Sequence, residues 1–292
     1  MRTKLLPFLF TCGAIAVSAQ ETLLQGPVSG LVFDQATRAL RPVNGVPGAA
    51  YLGAQQHSGD AGFVAPNSAA ALVLESDSLT LYRDARATRL DWQGSLDAAA
   101  FSANAVAAAG SRVRLYRNDE LIELASPDGP VRALAIDSSE RAAVAVTGSG
   151  VWYLQAGEAR LIAALDASGL AIQGSSVFVA DRTRNEVLVI RNFAEAPETA
   201  RLAGDFDQPV GIALSKDGRL VVADRTSVCT LNASTGERLE RVELDFTPAR
   251  VESLGGDLFR LDGRTQDIDP VQIATLEQGL RVYFVPGKAA EE

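Results

Sequence analysis

The sequence is poor in the residue types that hold metals, form covalent intermediates or cross-link small domains. Among 292 residues there is one histidine, His57, and there are two cysteines, Cys12 and Cys229; tryptophan is confined to Trp92 and Trp152. A single imidazole excludes centres built on several histidines. Cys12 falls in a segment expected to be removed, which leaves Cys229 alone and no intramolecular disulfide. Cationic side chains are also in the minority, 27 against 36 anionic ones, a formal charge of −9 that disfavours nucleic acid and anionic lipid as partners. No G-x-S-x-G elbow or Walker A loop occurs, and beyond the N-terminus no apolar run approaches the length of a membrane span.

What is present begins with "MRTKLLPFLFTCGAIAVSAQ". Arg2 and Lys4 form a cationic start, Leu5 to Val17 an apolar core, and Val17-Ser18-Ala19 a small-residue cleavage site. Residues 1–19 therefore read as a signal peptide and 20–292 as the mature chain, with a secreted or periplasmic destination. Removal of Arg2 and Lys4 leaves 25 cationic against 36 anionic side chains, a formal charge of −11.

The mature chain is 47% hydrophobic in the full-sequence count, and its apolar residues recur with a period near two, in short runs broken by Gly, Asn, Asp and Ser. That pattern predicts an all-β fold. Segments 63–84, 100–119, 134–155, 170–191, 212–232 and 251–265 each give an apolar strand, a polar turn, a second strand, and usually a turn and a third. The residue closing the second strand forms a column of Glu75, Gly110, Thr147, Asp181, Asp224 and Asp262, spaced by 35, 37, 34, 43 and 38 residues. A fourth short strand commonly follows, as in "ARLIAAL" and "ERLERVEL". Four antiparallel strands per repeat of about forty residues predict a β-propeller, because each sheet has two apolar faces and only a closed ring buries them all.

The stretch "PVGIALSKDGRLVVAD" (209–224) resembles the NHL repeat, as does "SSVFVADRTRNEVLVI" (175–190), and "SGLVFDQATRALRPV" (29–43) is similar to the outer hairpin of a YVTN or lactonase-type repeat. The resemblance supports the propeller fold; six full repeats from about 61 to 287, preceded by roughly forty residues with strand patterns of their own, give seven blades as the first choice and six as the second. Residues 29–43 are expected as third and fourth strands that complete a blade with the C-terminal "LRVYFVPG", so that strands from both ends close the ring. Enzymes of this architecture are not matched in their sites. Gluconolactonase-like propellers use a Glu, Asn and Asp set near the axis, histidine-dependent lyases and lactonases need more than His57, and quinone-dependent ones repeat a Trp docking motif.

The innermost strands are expected at 61–65, 98–101, 133–136, 169–172, 211–214 and 250–254, and only the last carries ionisable residues, Arg250 and Glu252. The sharpest constellation is "VADRT" (179–183), "VADRT" (222–226) and "LDGRT" (261–265). Asp181, Asp224 and Asp262 with Arg182, Arg225 and Arg264 could grip a polar ligand through guanidinium forks. The structural alternative has each Asp capping its turn while each Arg pairs with a neighbouring blade. His57, in the polar turn "GAQQHSGD", reads as solvated surface, Cys229 as a buried small hydrophobe, and Tyr82 and Tyr116 as packing between blades. "SKDG" (215–218), "SPDG" (126–129) and "NAST" (232–235) read as hairpin turns, and the tail "GKAAEE" as a frayed end.

No catalytic residue, metal or cofactor is assigned. The expected function is an exported, non-enzymatic binding scaffold for a protein or small polar ligand that the sequence does not specify. The alternative is a lactonase-type hydrolase or lyase using Glu252, Asp262 and Arg250 at the channel mouth. A third possibility is a subunit of an envelope complex rather than a monomer.

Overall fold

Strands that are apolar on both faces dictate the architecture. In Ala143–Val146 every residue is buried; Ala143 and Ala145 join one apolar cluster, Val144 and Val146 the next. Alternate residues point to opposite faces, so such a strand is stable only between two other sheets. The computed structural model describes residues 27–76, 78–84, 86–263 and 270–287. The signal peptide expected at 1–19, Arg264, the tail 288–292 and the side chain of Asp262 lie outside the described residues.

Seven sheets follow one another along the chain. The first holds β1 (Val28–Asp34), β2 (Ala39–Asn44) and β3 (Tyr51–Leu52), and the second β4 (Ala61–Val64), β5 (Ala70–Glu75), β6 (Ser78–Arg83) and β7 (Arg86–Leu90). The third comprises β8 (Ala98–Phe101), β9 (Ala105–Ala109), β10 (Val113–Arg117) and β11 (Glu120–Leu124); the fourth β12 (Ala133–Ile136), β13 (Ala143–Val146), β14 (Val151–Gln155) and β15 (Glu158–Ala163). In the fifth are β16 (Ala167–Gln173), β17 (Ser176–Asp181), β18 (Glu186–Arg191) and β19 (Glu198–Ala203), and in the sixth β20 (Gly211–Leu214), β21 (Arg219–Ala223), β22 (Ser227–Asn232) and β23 (Arg238–Glu243). The seventh is β24 (Pro248–Gly255), β25 (Leu258–Gly263), β26 (Pro270–Thr275) and β27 (Arg281–Pro286). Strands within every sheet are antiparallel neighbours in sequence order, the blade of a propeller.

Seven apolar clusters occupy the seven blade–blade interfaces, and this closes the ring. The last joins Val32 and Val43 of the N-terminal blade to Leu254, Leu258 and Ile273 of the C-terminal one, and Phe33 and Leu40 pack on Ala71 and Val73 of the second blade. Each fully buried Val, Leu or Phe contributes roughly 1.5–3 kcal/mol, so an opened seam would forfeit a substantial share of the core. Close approach of the inner strands also requires glycine. A Cβ on Gly211 would lie 2.5 Å from the Val251 amide nitrogen.

The first blade differs from its sisters. Call the face on which the inner strands begin the upper face. The β1–β2 turn lies there: Gly59 donates its N–H to the Arg38 carbonyl at 2.8 Å, Arg38 pairs with Asp60 at 3.4 Å, and Asp60 accepts from the Ser76 N–H in the β5–β6 turn. In the other blades the upper-face hairpin joins second and third strands, so β1 and β2 hold those positions. β3, continued by the Ser58 bridge to Ala39, holds the fourth. Among the described residues no strand fills the inner position of this blade.

The expectation for 29–43 is thus corrected by one strand, and "LRVYFVPG" forms β27, the fourth strand of the C-terminal blade, rather than part of a shared sheet. Hairpins at successive positions have the same apolar–turn–apolar pattern, and periodicity alone does not rank them. Strands from the two ends still meet at the seam. Arg260 Nη1 donates to the Phe33 carbonyl at 2.7 Å, and Arg41 Nη2 donates to the Gly287 carbonyl. "SPDG" is a second correction: it lies on the connection between β11 and β12, which belong to different blades. Pairing does not restrict that crossover, so turn-forming residues serve there as well as in a hairpin.

Candidate functional site

The aspartates of the repeated "ADRT" are used by their own turns. Asp181 is buried, and its Oδ1 accepts the N–H groups of Thr183 and Arg184, both at 3.0 Å. Asp224 does the same for Thr226 and Ser227, at 3.0 and 2.7 Å, and its Oδ2 accepts the Asp207 N–H at 3.2 Å. Asp34 is a further copy of the device. Its Oδ1 accepts the Ala36 N–H at 3.0 Å, and its Oδ2 accepts from Thr37 at 2.7 Å and Arg41 at 3.0 Å. Burial raises its pKa, but these hydrogen bonds and the guanidinium outweigh burial and hold it below the ordinary carboxylate value.

The arginines behave differently from the structural alternative drawn from the sequence. It is their backbone N–H groups that tie the turn to the connection before the inner strand, Arg182 to the Asp166 carbonyl at 3.0 Å and Arg225 to the Asp207 carbonyl at 2.9 Å. Their guanidinium groups have no hydrogen-bond or ion-pair partner among the described residues. Arg182 is half-buried and Arg225 exposed. Neither pairs with a neighbouring blade; the carboxylate on the connection that reaches the Arg182 turn, Asp166, is paired with Arg132 at 3.0 Å.

Along the propeller axis runs a cavity of about 360 Å³, walled by β4, β8, β12, β16, β20 and β24, with Arg132 and Ser168 at its upper end and Pro66, Phe101 and Ile136 at its lower end. Its wall is aliphatic, with Ala100, Leu134, Ala171 and Ile212 among its residues, and its polar groups come from Arg132, Ser168, Arg250, Glu252 and Ser253. Arg250 and Glu252 pair at 3.1 Å, each about one-third exposed. The Arg250 guanidinium also stands 5.8 Å from the Phe63 ring centre. Beside this cavity lies a second hollow of about 340 Å³, lined by Asp166, Arg182, Thr183, Asn185 and Gln208. Arg132 joins the two, since it lines the cavity and pairs at 3.0 Å with Asp166 of the hollow.

The sequence singled out Arg182, Arg225, Arg250 and Glu252 on this face but missed Arg132, Asp166, Asn185 and Gln208. Arg132 stands one residue before an inner strand, as Ser168 stands one before "GLAI". That position, read down the repeats, is the signal that would have found Arg132. Among the described residues, no group of three His, Cys, Asp or Glu side chains is arranged to hold a metal ion.

The remaining candidates are structural. His57 is exposed and stacks on Tyr82 of the next blade, ring centres 3.9 Å apart. Tyr116 packs against the neighbouring blade's apolar cluster and donates its hydroxyl to Asp119 at 2.8 Å. Cys229 is buried in β22, and burial pushes its thiol pKa up to about 11, the opposite of a reactive thiolate.

No protein-family model matches the chain, and no curated protein matches it. Solved structures do. A functionally unknown protein from Desulfotomaculum acetoxidans superposes with a TM-score of 0.63 at 12% identity, over 89% of this chain and 99% of that one. The chain is a seven-blade β-propeller. The β-propeller domain of Myceliophteria thermophila Cps50 (Swd1) gives a TM-score of 0.61 at 11% identity over 81% and 89% of the two chains. A chain of the nidogen/laminin complex gives 0.54 at 13% identity over 73% and 97%. At such identities the shared property is the propeller itself. No helix among the described residues is long and apolar enough to cross a membrane.

Proposed function

We propose that the protein is an exported, non-catalytic propeller that serves as a binding scaffold and grips a partner on its upper face. One observation carries this reading: the axial cavity and the hollow beside it, linked by Arg132 and Asp166, meet at the unpartnered guanidinium of Arg182, and Arg225 stands on the corresponding turn of the next blade. Unpaired guanidinium groups beside an aliphatic well suit an acidic segment of a protein partner that also presents an apolar side chain. The occurrence of the same fold within the nidogen/laminin complex agrees with such a role. Export rests on the N-terminal sequence, and the NHL-like repeats agree with a scaffold built for interaction.

The lactonase-type alternative draws less support. Asp181 and Asp224 are occupied in capping their turns, and Glu252 is neutralised by Arg250 at 3.1 Å. The test compares wild type with Arg132→Glu/Arg182→Glu/Arg225→Glu and with a rim control, Arg86→Glu/Arg89→Glu/Arg281→Glu, in quantitative affinity purification from envelope and culture-fluid fractions. A partner kept by wild type and the rim control but lost by the upper-face variant supports the proposal. Turnover of lactones or phosphoesters that is abolished by Glu252→Gln overturns it.

A further inference from the structure

The axial cavity is cationic at its upper end and apolar below. Ala133 pairs with Val146 and Val251 with Leu261, in each case one residue before the column positions Thr147 and Asp262. Arg132 and Arg250, one residue earlier on each inner strand, therefore enter the cavity at one height. They come from the fourth and seventh blades, on nearly opposite walls of the ring. With Arg182 of the adjoining hollow, three guanidinium groups face two carboxylates, Asp166 and Glu252, which leaves one positive charge uncompensated. Arg132 uses one of its five N–H donors, at Nη1, on Asp166 at 3.0 Å, and the others have no partner among the described residues. Both members of that pair are more than one-third exposed, so a ligand carboxylate can compete with Asp166 at little cost. Below this step Phe63, Ala135, Leu170, Ile172 and Leu214 present partly exposed apolar side chains, and among the described lining residues none lower than Glu252 is ionisable. The inner strands β8, β12 and β20 have four residues each, which makes the cavity about 13 Å deep. Its volume of about 360 Å³ is that of a small-ligand pocket.

We propose that the axial cavity binds an aliphatic monocarboxylate, its head at the upper end against Arg132 and Arg250 and its unbranched tail directed down the axis. A carboxylate matches both the guanidinium fork and the single uncompensated charge. An uncharged head would leave those donors poorly satisfied, and a cationic one would meet three arginines. The tail takes the place of water against the apolar wall, and each methylene buried there tightens binding about fourfold until the depth is filled. Leu134 and Ile136 pack between the blades, so the intervening Ala135 points its methyl group into the cavity, in the path of the tail. This inference goes beyond the partner reading and does not need it. Arg182 and Arg225 stay on the surface for a partner, whose apolar side chain would compete with the ligand for the upper end of the cavity.

Titration calorimetry of the chain beginning at Gln20 with octanoate and decanoate, both below micelle-forming concentrations, tests it. One saturable site is expected, with decanoate bound about fifteenfold more tightly than octanoate, and with decanol and decylammonium at least tenfold weaker than decanoate. Arg132→Gln should weaken decanoate at least tenfold. Ala135→Leu, which fills the cavity without touching a charge, should remove binding, and unfolding midpoints establish that both variants fold. Absence of a saturable site for either acid in the unsubstituted chain overturns the proposal. So does equal affinity for the two acids, equal affinity for decanol and decanoate, or decanoate binding unchanged by Ala135→Leu. The chain-length and head-group series needs no variant, so it decides the outcome even where a variant fails to fold. Partner capture by a chain that binds no alkanoate upholds the partner reading and overturns this one; alkanoate binding with no captured partner does the reverse.

Discussion

Replacing Arg41 with alanine removes the most concentrated set of polar contacts at the ring's seam. Arg41 is 8% exposed, and its guanidinium donates to the carbonyls of Gly53 and Leu52, both at 2.9 Å, to Asp34 Oδ2 at 3.0 Å and to the Gly287 carbonyl. These bonds tie β2 to the chain following β3 and to the residue after β27, across the junction between the first and last blades. The substitution leaves the buried Asp34 carboxylate with Thr37 and Ala36 as donors and no cation. Breaking one partner of a buried pair costs about 3–5 kcal/mol. For a chain of this size each kcal/mol shifts Tm by roughly 2–4 °C, so a fall on the order of 10 °C follows. Urea unfolding of Arg41→Ala, Asp34→Asn and the double variant is the assay, and the double variant should lose less than the two singles added. The exposed pair Arg112–Glu123, 2.9 Å apart and more than half accessible, is the reference; Arg112→Ala should cost under about 1 kcal/mol. An Arg41→Ala loss no larger than the Arg112→Ala loss refutes the assignment of the seam to this residue.

Three further outcomes follow from the same geometry. The depressed pKa of Asp34 makes the seam acid-labile: its contribution is fully present above the unfolded-state value of about 3.9 and is lost as pH falls through the lower folded value, so the unfolding midpoint should drop more steeply in acid for wild type than for Asp34→Asn. Gly211→Ala, whose Cβ would meet the Val251 amide nitrogen at 2.5 Å, should cost about 1–3 kcal/mol in urea unfolding, because backbone in a neighbouring inner strand cannot yield as a side chain can. Cys229, buried with its thiol pKa near 11, should resist iodoacetamide at pH 8 in the folded chain and react once urea unfolds it; comparable rates in both states would contradict its placement.

Much of this architecture is written in the sequence at the level of single residues. The inner strands expected at 98–101, 133–136 and 211–214 coincide with β8, β12 and β20. In the column, Thr147, Asp181 and Asp224 are buried, and each accepts backbone N–H groups of the turn that follows its second strand. The position of the first hairpin was the less legible part. Apolar alternation in 29–43 is equally compatible with any adjacent pair of strands, and the deciding residue is Asp34, whose bond to the Ala36 N–H repeats that of Asp181 to Thr183. Reading Asp34 into the column, 41 residues before Glu75, would have placed it. The candidate site was harder still. Arg182 and Arg225 are visible in "ADRT", but Asp166 and Gln208 come from the connections that lead into the fifth and sixth blades, which carry no periodicity, and they meet Asn185 of the β17–β18 turn only in the folded chain.

Binding at the upper face is the central claim, and paired affinity purifications measure it most directly. Wild type, the Arg132→Glu/Arg182→Glu/Arg225→Glu variant and the rim control would be compared at equal folded concentration, established by unfolding midpoints within 2 °C of one another. This account predicts a partner enriched by wild type and the rim control and reduced at least tenfold by the upper-face variant. Equal enrichment by all three would contradict it.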